Sequence, residues 1–207
     1  MSRSRFTILT LTTFSLGLAT IGFSCADEKS ADGWVSLFNG KDLTGWKASE
    51  GVEWTVKNGE IVTPPKRSHL FTGMEFKNFE FKADVKTTPG SNSGLYFHTK
   101  YEDTFPNTGY ESQVNQTHGD QVKSGSLYNV VKLFSTPAKD DEWYTHHIIV
   151  KGKQITVKIN DKTLFEYVEP EGVTGTRKLG KGSFAIQAHD PKSVVYYKNI
   201  MVKPLPD

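Results

Sequence analysis

Apolar and polar residues alternate over short stretches along most of this chain, and turn-forming residues separate the stretches. From Trp34 onward the apolar positions are rich in Val, Ile, Phe, Tyr and Thr, with Gly, Asn, Asp and Pro between them. The segment FEFKADVK, which begins at Phe79, alternates four apolar residues with four others that are all charged. This period of two predicts a strand with one buried face. No segment of ten or more residues has the period of an amphipathic helix.

Turn signals divide the strands further. The segment WTVKNGEIVT contains Asn58-Gly59, a dipeptide that favours the type I′ turn of a hairpin because both of its residues need positive φ. The segment HHIIVKGKQITVKINDKTLFEY predicts a three-strand meander with turns at 152–153 and 160–161. Further strands are predicted in GYESQVNQ and in SLYNVV, residues 126–131. About a dozen short strands predict an all-β, two-sheet antiparallel sandwich of the jelly-roll type.

The first 26 residues have the pattern of a secretory signal peptide. Two arginines precede an apolar segment, and small residues follow at Ser24, Cys25 and Ala26. Cleavage after Ala26 would leave a short polar linker at 27–33, whereas the segment IGFSC loosely resembles a lipidation signal at Cys25. Either form predicts export to the periplasm or the cell exterior, as an outer-membrane lipoprotein if Cys25 is lipidated.

Composition limits the classes of function. The chain has 207 residues, of which 36% are hydrophobic, enough for one domain, which we expect at 34–207. The full chain carries 25 Lys and Arg against 23 Asp and Glu, and loss of Arg3 and Arg5 with the signal makes the remainder neutral. A neutral domain without a basic cluster is not expected to bind nucleic acid. Removing Cys25 would also leave no disulfide to stabilise the fold, and the sequence does not predict an oligomeric state.

One predicted strand carries an unusual run of polar residues. In TGYESQVNQTHG, residues 108–119, a period of two places Glu111, Gln113 and Asn115 on one face. An acid followed by two amides is not how a strand normally contributes to a core. The face is therefore either a solvated surface or the floor of a binding site.

Two other segments offer side chains for the same face. In NSGLYFHTK the period places Tyr96 and His98 on one side, and in FAIQAHD it places Gln187 and His189 on one side. Tyr110, beside Glu111, could stack on a sugar ring as Tyr96 could. The alternatives are a hydrogen-bonded, half-buried His98 and a His189 that merely ends a strand before a turn.

Five segments in order resemble the 3-keto-disaccharide hydrolase family. They are WVSLFNGKDLTGWK, NSGLYFHTK, GYESQV, DEWYTHHIIVKGKQITVKINDK and FAIQAHDPKSVVYYKNIMVKPL, and they span residues 34–205. The resemblance implies a concanavalin A-like jelly roll, as in laminarinase-like enzymes, with a carbohydrate site on the concave face of one sheet. It also implies an exported bacterial protein that cleaves 3-keto glycosides. Relatives commonly carry Arg near the position of His98, so the resemblance supplies no arginine contact there.

The polar run disfavours an ordinary glycosidase mechanism, which needs two carboxylates. The ExDxxE motif of laminarinase-like enzymes would supply them, but Gln113 and Asn115 follow Glu111 on the same face. A 3-keto sugar instead has an acidic C2 proton, which Glu111 or a histidine could remove while the C1 substituent leaves by elimination. Gln113, Gln187 or a bound divalent cation could then stabilise the enolate oxygen, and hydration would complete a net hydrolysis.

These residues predict a site and leave its class open. For an enzyme acting on 3-keto glycosides the expected catalytic residues are Glu111, His98 and His189, and the expected substrate-binding residues are Tyr96, Tyr110, Gln113 and Gln187. A metal is not indicated by ligand spacing, although Glu111, His98 and His189 could converge in the fold. A non-catalytic carbohydrate-binding module would use Tyr96, Tyr110 and Gln113, and a structural sandwich would use none of them.

Overall fold

The computed structural model describes Ser30 and residues 32–207, and there it contains thirteen β-strands and no helix. Eight strands form one sheet: β1 (Val35–Ser36), β3 (Thr55–Lys57), β4 (Glu60–Val62), β6 (Phe79–Thr87), β9 (Tyr144–Lys151), β10 (Gln154–Ile159), β11 (Lys162–Val168) and β13 (Val195–Pro204). Five strands form the other: β2 (Trp46–Ala48), β5 (Ser68–Thr72), β7 (Asn92–Thr99), β8 (Tyr110–Asn115) and β12 (Ser183–Ala188).

Both sheets are antiparallel throughout. The larger runs in the order β11-β10-β9-β6-β13-β4-β3, with β1 beside β13, and the smaller runs β2-β5-β12-β7-β8. Strands that are neighbours in space are often distant in sequence, because the chain passes repeatedly from one sheet to the other. This arrangement confirms the predicted all-β, two-sheet antiparallel sandwich.

The core lies between the sheets and is rich in phenylalanine. Strand β6 alternates buried and half-buried residues as predicted, and its Phe79 and Phe81 point toward the smaller sheet. There they meet Phe184 of β12, with ring centroids 4.8 and 4.4 Å away. Complete burial of one such side chain contributes roughly 1.5–3 kcal/mol, so this aromatic cluster is a main contact between the sheets.

The local turn predictions have mixed outcomes. Asn58 and Gly59 have φ of 54° and 79° between β3 and β4, and the meander β9-β10-β11 turns where expected, so both hairpin predictions are confirmed. The strand predicted at 126–131 is wrong, because the chain turns through Asn129, whose φ is 62°. Residues 124–128 instead run beside β8, where the Tyr128 N–H donates to the Glu111 carbonyl over 2.9 Å, and they cover its edge.

The N-terminal predictions lie largely outside the described residues. The expected signal peptide at 1–26, with Cys25, falls outside them, as does most of the linker at 27–33. In the part of the chain that the structure describes, no helix has the length and hydropathy needed to span a bilayer.

Candidate active site

The smaller sheet has a second buried face, directed away from the core. Cross-strand pairing lines up Phe71 on β5, Ala185 on β12, Tyr96 on β7 and Glu111 on β8. The first three form a small apolar cluster separate from the main core, and Phe105 from the loop before β8 packs against it. Loops therefore cover this outer face, which explains why its side chains are not solvated.

A cleft of about 60 Å³ opens on that face. It is lined by side chains from three strands and from the loops around them: Asn92, Phe105, Glu111, Gln113, Asp120, Tyr128, Gln187 and His189. Four of the seven residues predicted from sequence line it, namely Glu111, Gln113, Gln187 and His189. The cleft admits only a few water-sized groups, so a sugar ring would lie partly at its mouth.

Glu111 is the buried carboxylate of the cleft. Only 3% of the residue is exposed, and burial raises its pKa to about 7. A hydrogen bond from the Tyr96 hydroxyl and the positive charge of Arg177 oppose that rise, while the charge of Asp120 adds to it. A carboxyl group with such a pKa can accept or release a proton at neutral pH, as general acid–base catalysis requires.

Gly94 on β7 makes room for this carboxylate. A Cβ at position 94 would lie 2.9 Å from both Cγ and Cδ of Glu111, and closer still to Oε1. The Glu111 side chain therefore lies across the backbone of β7 where only glycine leaves space. The position of the Glu111 side chain therefore depends on having glycine at position 94, in the segment NSGLYFHTK.

Amide side chains hold the floor of the cleft. Gln113 Nε2 donates to Asn92 Oδ1 over 2.8 Å, and Gln187 Nε2 donates to the Tyr96 hydroxyl over 3.0 Å. Gln187 is 2% exposed, and its Oε1 has no hydrogen-bond partner among the described residues. A buried acceptor without a partner costs free energy, which a ligand hydroxyl at this position would recover.

His189 lies at one wall of the cleft with an acidic partner. Its Nδ1 donates to Asp190 Oδ2 over 2.8 Å, so its Nε2 is the nitrogen left for a ligand. Burial alone would raise the pKa of Asp190, but hydrogen bonds from Ser193, His189 and the Lys192 N–H lower it to about 2. Asp190 is therefore a carboxylate at neutral pH and orients the imidazole.

A second histidine, His118, lies next to His189 and bonds two residues that line the cleft. Its ring centroid lies 5.4 Å from that of His189, and ligand atoms of His118, His189 and Asp190 lie within 4.8 Å of one another. Three such groups could hold a divalent cation. However, the Asp120 N–H and the Asn92 Nδ2 already point at His118 Nδ1, at 3.1 and 3.2 Å. A cation bound to Nε2 would require the ring proton to be on Nδ1. Nδ1 would then be a donor facing two other donors, which is unfavourable.

His98 does not join the cleft. Both Phe97 and His98 contact Phe79 of the opposite sheet, whereas Tyr96 faces the cleft side, so the prediction that Tyr96 and His98 share a face is wrong. The pairing of β7 with β12 shifts register here, and His98 has a φ of 55°, which breaks the two-residue period. The His98 ring bonds the Lys77 carbonyl over 2.8 Å, which is a structural contact.

Tyr110 also lies outside the cleft. It belongs to the main core, and its hydroxyl donates to Glu169 Oε2 over 2.6 Å. Because Tyr110 directly precedes Glu111 on a regular strand, their side chains point to opposite faces. Its expected position beside a sugar is therefore wrong, and strict alternation along β8 would have excluded it.

Several cleft residues were not predicted from the sequence. Asn92, Phe105, Asp120 and Tyr128 line it, and all but Asn92 come from loops, for which periodicity gives no side assignment. His69 lies on β5 opposite Gln187, fully buried, and burial, together with the charges of Arg67 and His189, lowers its pKa to about 3. Sequence analysis could have placed His69 next to Gln187 only by predicting that β5 pairs with β12.

Comparison with known proteins agrees with this fold. A curated 3-keto-disaccharide hydrolase of Bacteroides thetaiotaomicron is 25% identical over 171 residues, which cover 66% of this chain and 59% of that protein. A structure from Parabacteroides distasonis, classed as a glycosyl hydrolase, is 26% identical with a TM-score of 0.75, covering 87% of this chain and 97% of its own. A carbohydrate-binding module of Bacillus subtilis shares the fold at 13% identity and TM-score 0.57, over 77% and 95% of the two chains.

A domain family matches most of the described chain. The 3-keto-alpha-glucoside-1,2-lyase-like domain aligns with residues 33–203, which include every strand from β1 to β12, most of β13 and the whole cleft. The resemblance noted in the sequence is thereby confirmed. This chain is a member of the 3-keto-alpha-glucoside-1,2-lyase-like domain family.

Proposed function

We propose that this protein cleaves 3-keto glycosides by elimination in the cleft around Glu111. The observation that carries the proposal is a single buried carboxylate whose pKa is raised to about 7, set among neutral amides. An ordinary glycosidase would need a second carboxylate across the scissile bond. Asp120 also lines the cleft, but only one proton acceptor is needed to start an elimination beside a ketone.

In the proposed reaction Glu111 removes the proton from C2 of the sugar. The electrons of the C2–H bond form an enolate with the C3 carbonyl, and the C1–O bond then breaks as a C1–C2 double bond forms. The leaving oxygen takes a proton from His189, whose protonated ring Asp190 stabilises. The products are an unsaturated ketone and the free aglycone alcohol, and addition of water to the double bond would give net hydrolysis.

The rest of the cleft supports a sugar as the ligand. Oε1 of Gln187, which has no hydrogen-bond partner among the described residues, can accept from a sugar hydroxyl, and Gln113 offers a second amide in the cleft. Phe105 and Tyr128 place aromatic rings at the cleft, where a sugar ring can pack on them. The Bacteroides relative bears the name of the same activity, and this chain spans 59% of its length.

The test is turnover of methyl 3-keto-α-D-glucopyranoside by the purified protein, followed by release of methanol and by proton NMR of the unsaturated ketone. Glu111→Gln keeps the shape of the side chain and removes the base, so we expect a fall in kcat of roughly 10²- to 10⁴-fold. Glu53→Gln, at an exposed carboxylate, is the matched control and should retain activity. Full activity in Glu111→Gln would exclude Glu111 as the base.

A non-catalytic carbohydrate-binding module is the second candidate. The shared fold of the Bacillus subtilis module and the unpartnered Gln187 Oε1 both suit sugar binding without chemistry. Sugar binding measured by calorimetry, with no turnover and no change in Glu111→Gln, would favour this alternative. Export of the protein, which the N-terminal sequence predicts, suits either function.

A further inference from the structure

His118 has a hydrogen-bond environment that selects one neutral form of its ring. The backbone N–H of Asp120 points at Nδ1 over 3.1 Å, and the Asn92 side-chain nitrogen approaches the same atom at 3.2 Å. Asn92 is itself oriented, because its Oδ1 accepts from Gln113 Nε2 over 2.8 Å. Two donors facing Nδ1 leave that nitrogen as an acceptor, so the ring proton is on Nε2.

His189 is held in the opposite way. The Asp190 carboxylate accepts a hydrogen bond from the Nδ1–H of His189, so Nδ1 is the donor in that ring and Nε2 is the nitrogen left for a ligand. The centroids of the two rings lie 5.4 Å apart. The hydrogen bonds thus favour opposite forms of the two neighbouring rings, with the proton on Nε2 in His118 and on Nδ1 in His189.

We propose that His118 is a catalytic residue that donates its Nε2–H to the 3-keto oxygen of the substrate and stabilises the enolate as Glu111 removes the C2 proton. The inference rests on the elimination proposed above. Enzymes that deprotonate carbon beside a carbonyl can use a neutral histidine in this way, when surrounding N–H groups keep the ring neutral. No hydrogen bond engages His118 Nε2 among the described residues. The half-buried ring bonds Asn92 and Asp120 and lies 5.4 Å from the ring of His189, and all three of these residues line the cleft.

The proton balance of this step is simple. The proton from C2 moves to the Glu111 carboxylate, and the electron pair of that bond moves onto the C3 oxygen as the enolate forms. His118 shares its Nε2 proton with that oxygen without giving it up. When the C1–O bond breaks, the pair returns through C2, the carbonyl re-forms, and His118 ends as it began. A cation held by His118, His189 and Asp190 is the competing arrangement.

The experiment separates enolate formation from departure of the aglycone. 1,5-Anhydro-3-keto-D-glucitol has no aglycone at C1, so in D₂O removal of its C2 proton leads to exchange, which proton NMR follows separately from exchange at C4. We expect His118→Phe to slow this exchange by about 10²- to 10³-fold, as loss of one oxyanion donor does. His189→Phe should leave exchange nearly unchanged but slow elimination of methyl 3-keto-α-D-glucopyranoside. Gln121→Ala, an exposed site in the same loop, is the control.

Two further measurements keep the test decisive if His118→Phe folds poorly. His118→Gln keeps an N–H donor and should recover part of the exchange rate. Nitrogen-15 NMR of the wild-type ring should show Nδ1 without a proton and Nε2 with one. Exchange at the wild-type rate in both variants would overturn the inference while leaving the elimination intact. Loss of activity in EDTA, restored by Mn²⁺ or Zn²⁺ only when His118 is present, would overturn it in favour of a metal ligand.

The failure of the elimination itself has a different signature. Wild-type protein that neither exchanges the C2 proton of the anhydro ketone nor cleaves the methyl glycoside would refute the proposed function, and the role of His118 would fall with it. Wild-type protein that does both, with His118 variants that exchange at full rate, would refute only the role of His118.

Discussion

Replacing Gly94 by alanine should displace Glu111 without unfolding the sheet. The new Cβ would lie 2.9 Å from Cγ and Cδ of Glu111, whereas ordinary van der Waals contact begins at 3.4 Å. The Glu111 side chain must therefore move by at least several tenths of an ångström, and its Oε1 by more. A misplacement of about 1 Å at a reacting group can cost roughly 10²-fold in rate, and we expect a fall in kcat of that size.

The stability of the same variant should change little. Gly94 has no positive φ that alanine would strain, and alanine lowers the entropy of the unfolded chain, which stabilises by about 0.4–1 kcal/mol. The displacement of the Glu111 side chain lowers stability and so opposes that stabilisation. We expect the midpoint of thermal unfolding to stay close to that of the wild type while kcat falls, which separates misplacement from unfolding.

A double-mutant cycle makes the argument refutable. If Gly94→Ala acts through Glu111, adding it to Glu111→Gln should lower kcat hardly further, because the two changes remove the same contribution. Gly180→Ala, where a Cβ meets nothing within 4 Å, is the matched control. Wild-type kcat in Gly94→Ala, or full additivity in the cycle, would show that Gly94 does not set the position of the carboxylate.

Three other outcomes are expected. Glu111 must be ionised to act as a base, and burial raises its pKa to about 7, so kcat/KM should increase with pH through about pH 7. A decrease of kcat/KM over that range would indicate that Glu111 acts as an acid. Burial lowers the pKa of His146 to about 3, so the unfolded chain binds a proton there below pH 6.5 that the folded chain does not. Between pH 7.5 and 5 this group should lower the stability of the wild type by about 2 kcal/mol relative to that of His146→Gln, as urea titrations of both proteins can measure. Tyr110→Phe should lower the free energy of unfolding by about 1.5–3 kcal/mol in urea titrations, because it removes the hydrogen bond to the Glu169 carboxylate. The same change should leave kcat unaltered, and a loss of kcat without a loss of stability would contradict the position of Tyr110 in the core.

Local chemistry in the sequence predicted the regular parts of the fold. The hairpin at Asn58-Gly59 needs only two residues that tolerate positive φ, and the buried face of β6 needs only a period of two over an unbroken strand. Both depend on neighbouring residues alone. The segment 126–131 has strand-like composition, but the turn at Asn129 and the hydrogen bonds to β8 give it an irregular path. Tertiary contacts overrode local preference there.

The site was predictable where strands stay regular and not elsewhere. Glu111 and Gln113 line the cleft, two residues apart on unbroken β8, and so does Gln187 on β12. Their catalytic and binding roles stay predictions that the experiments above test. His98 lies two residues from Tyr96, but the irregularity in β7 turns it toward the core. One extra residue in a ladder reverses the side assignment that periodicity supplies.

The polar run that first suggested a site also limits its chemistry. Glu111 is the only carboxylate on the face of β8, and Gln113 beside it is bound to Asn92, which in turn orients His118. Gln113 therefore does more than replace a second acid, because it begins a chain of hydrogen bonds through Asn92 that ends at Nδ1 of His118. Removal of a proton beside a ketone needs one carboxylate base and a neutral donor at the ketone oxygen, whereas an ordinary glycosidase needs a pair of carboxylates. On this reasoning the ketone at C3 should be essential, and the matching unoxidised methyl glucoside should not be cleaved at a measurable rate.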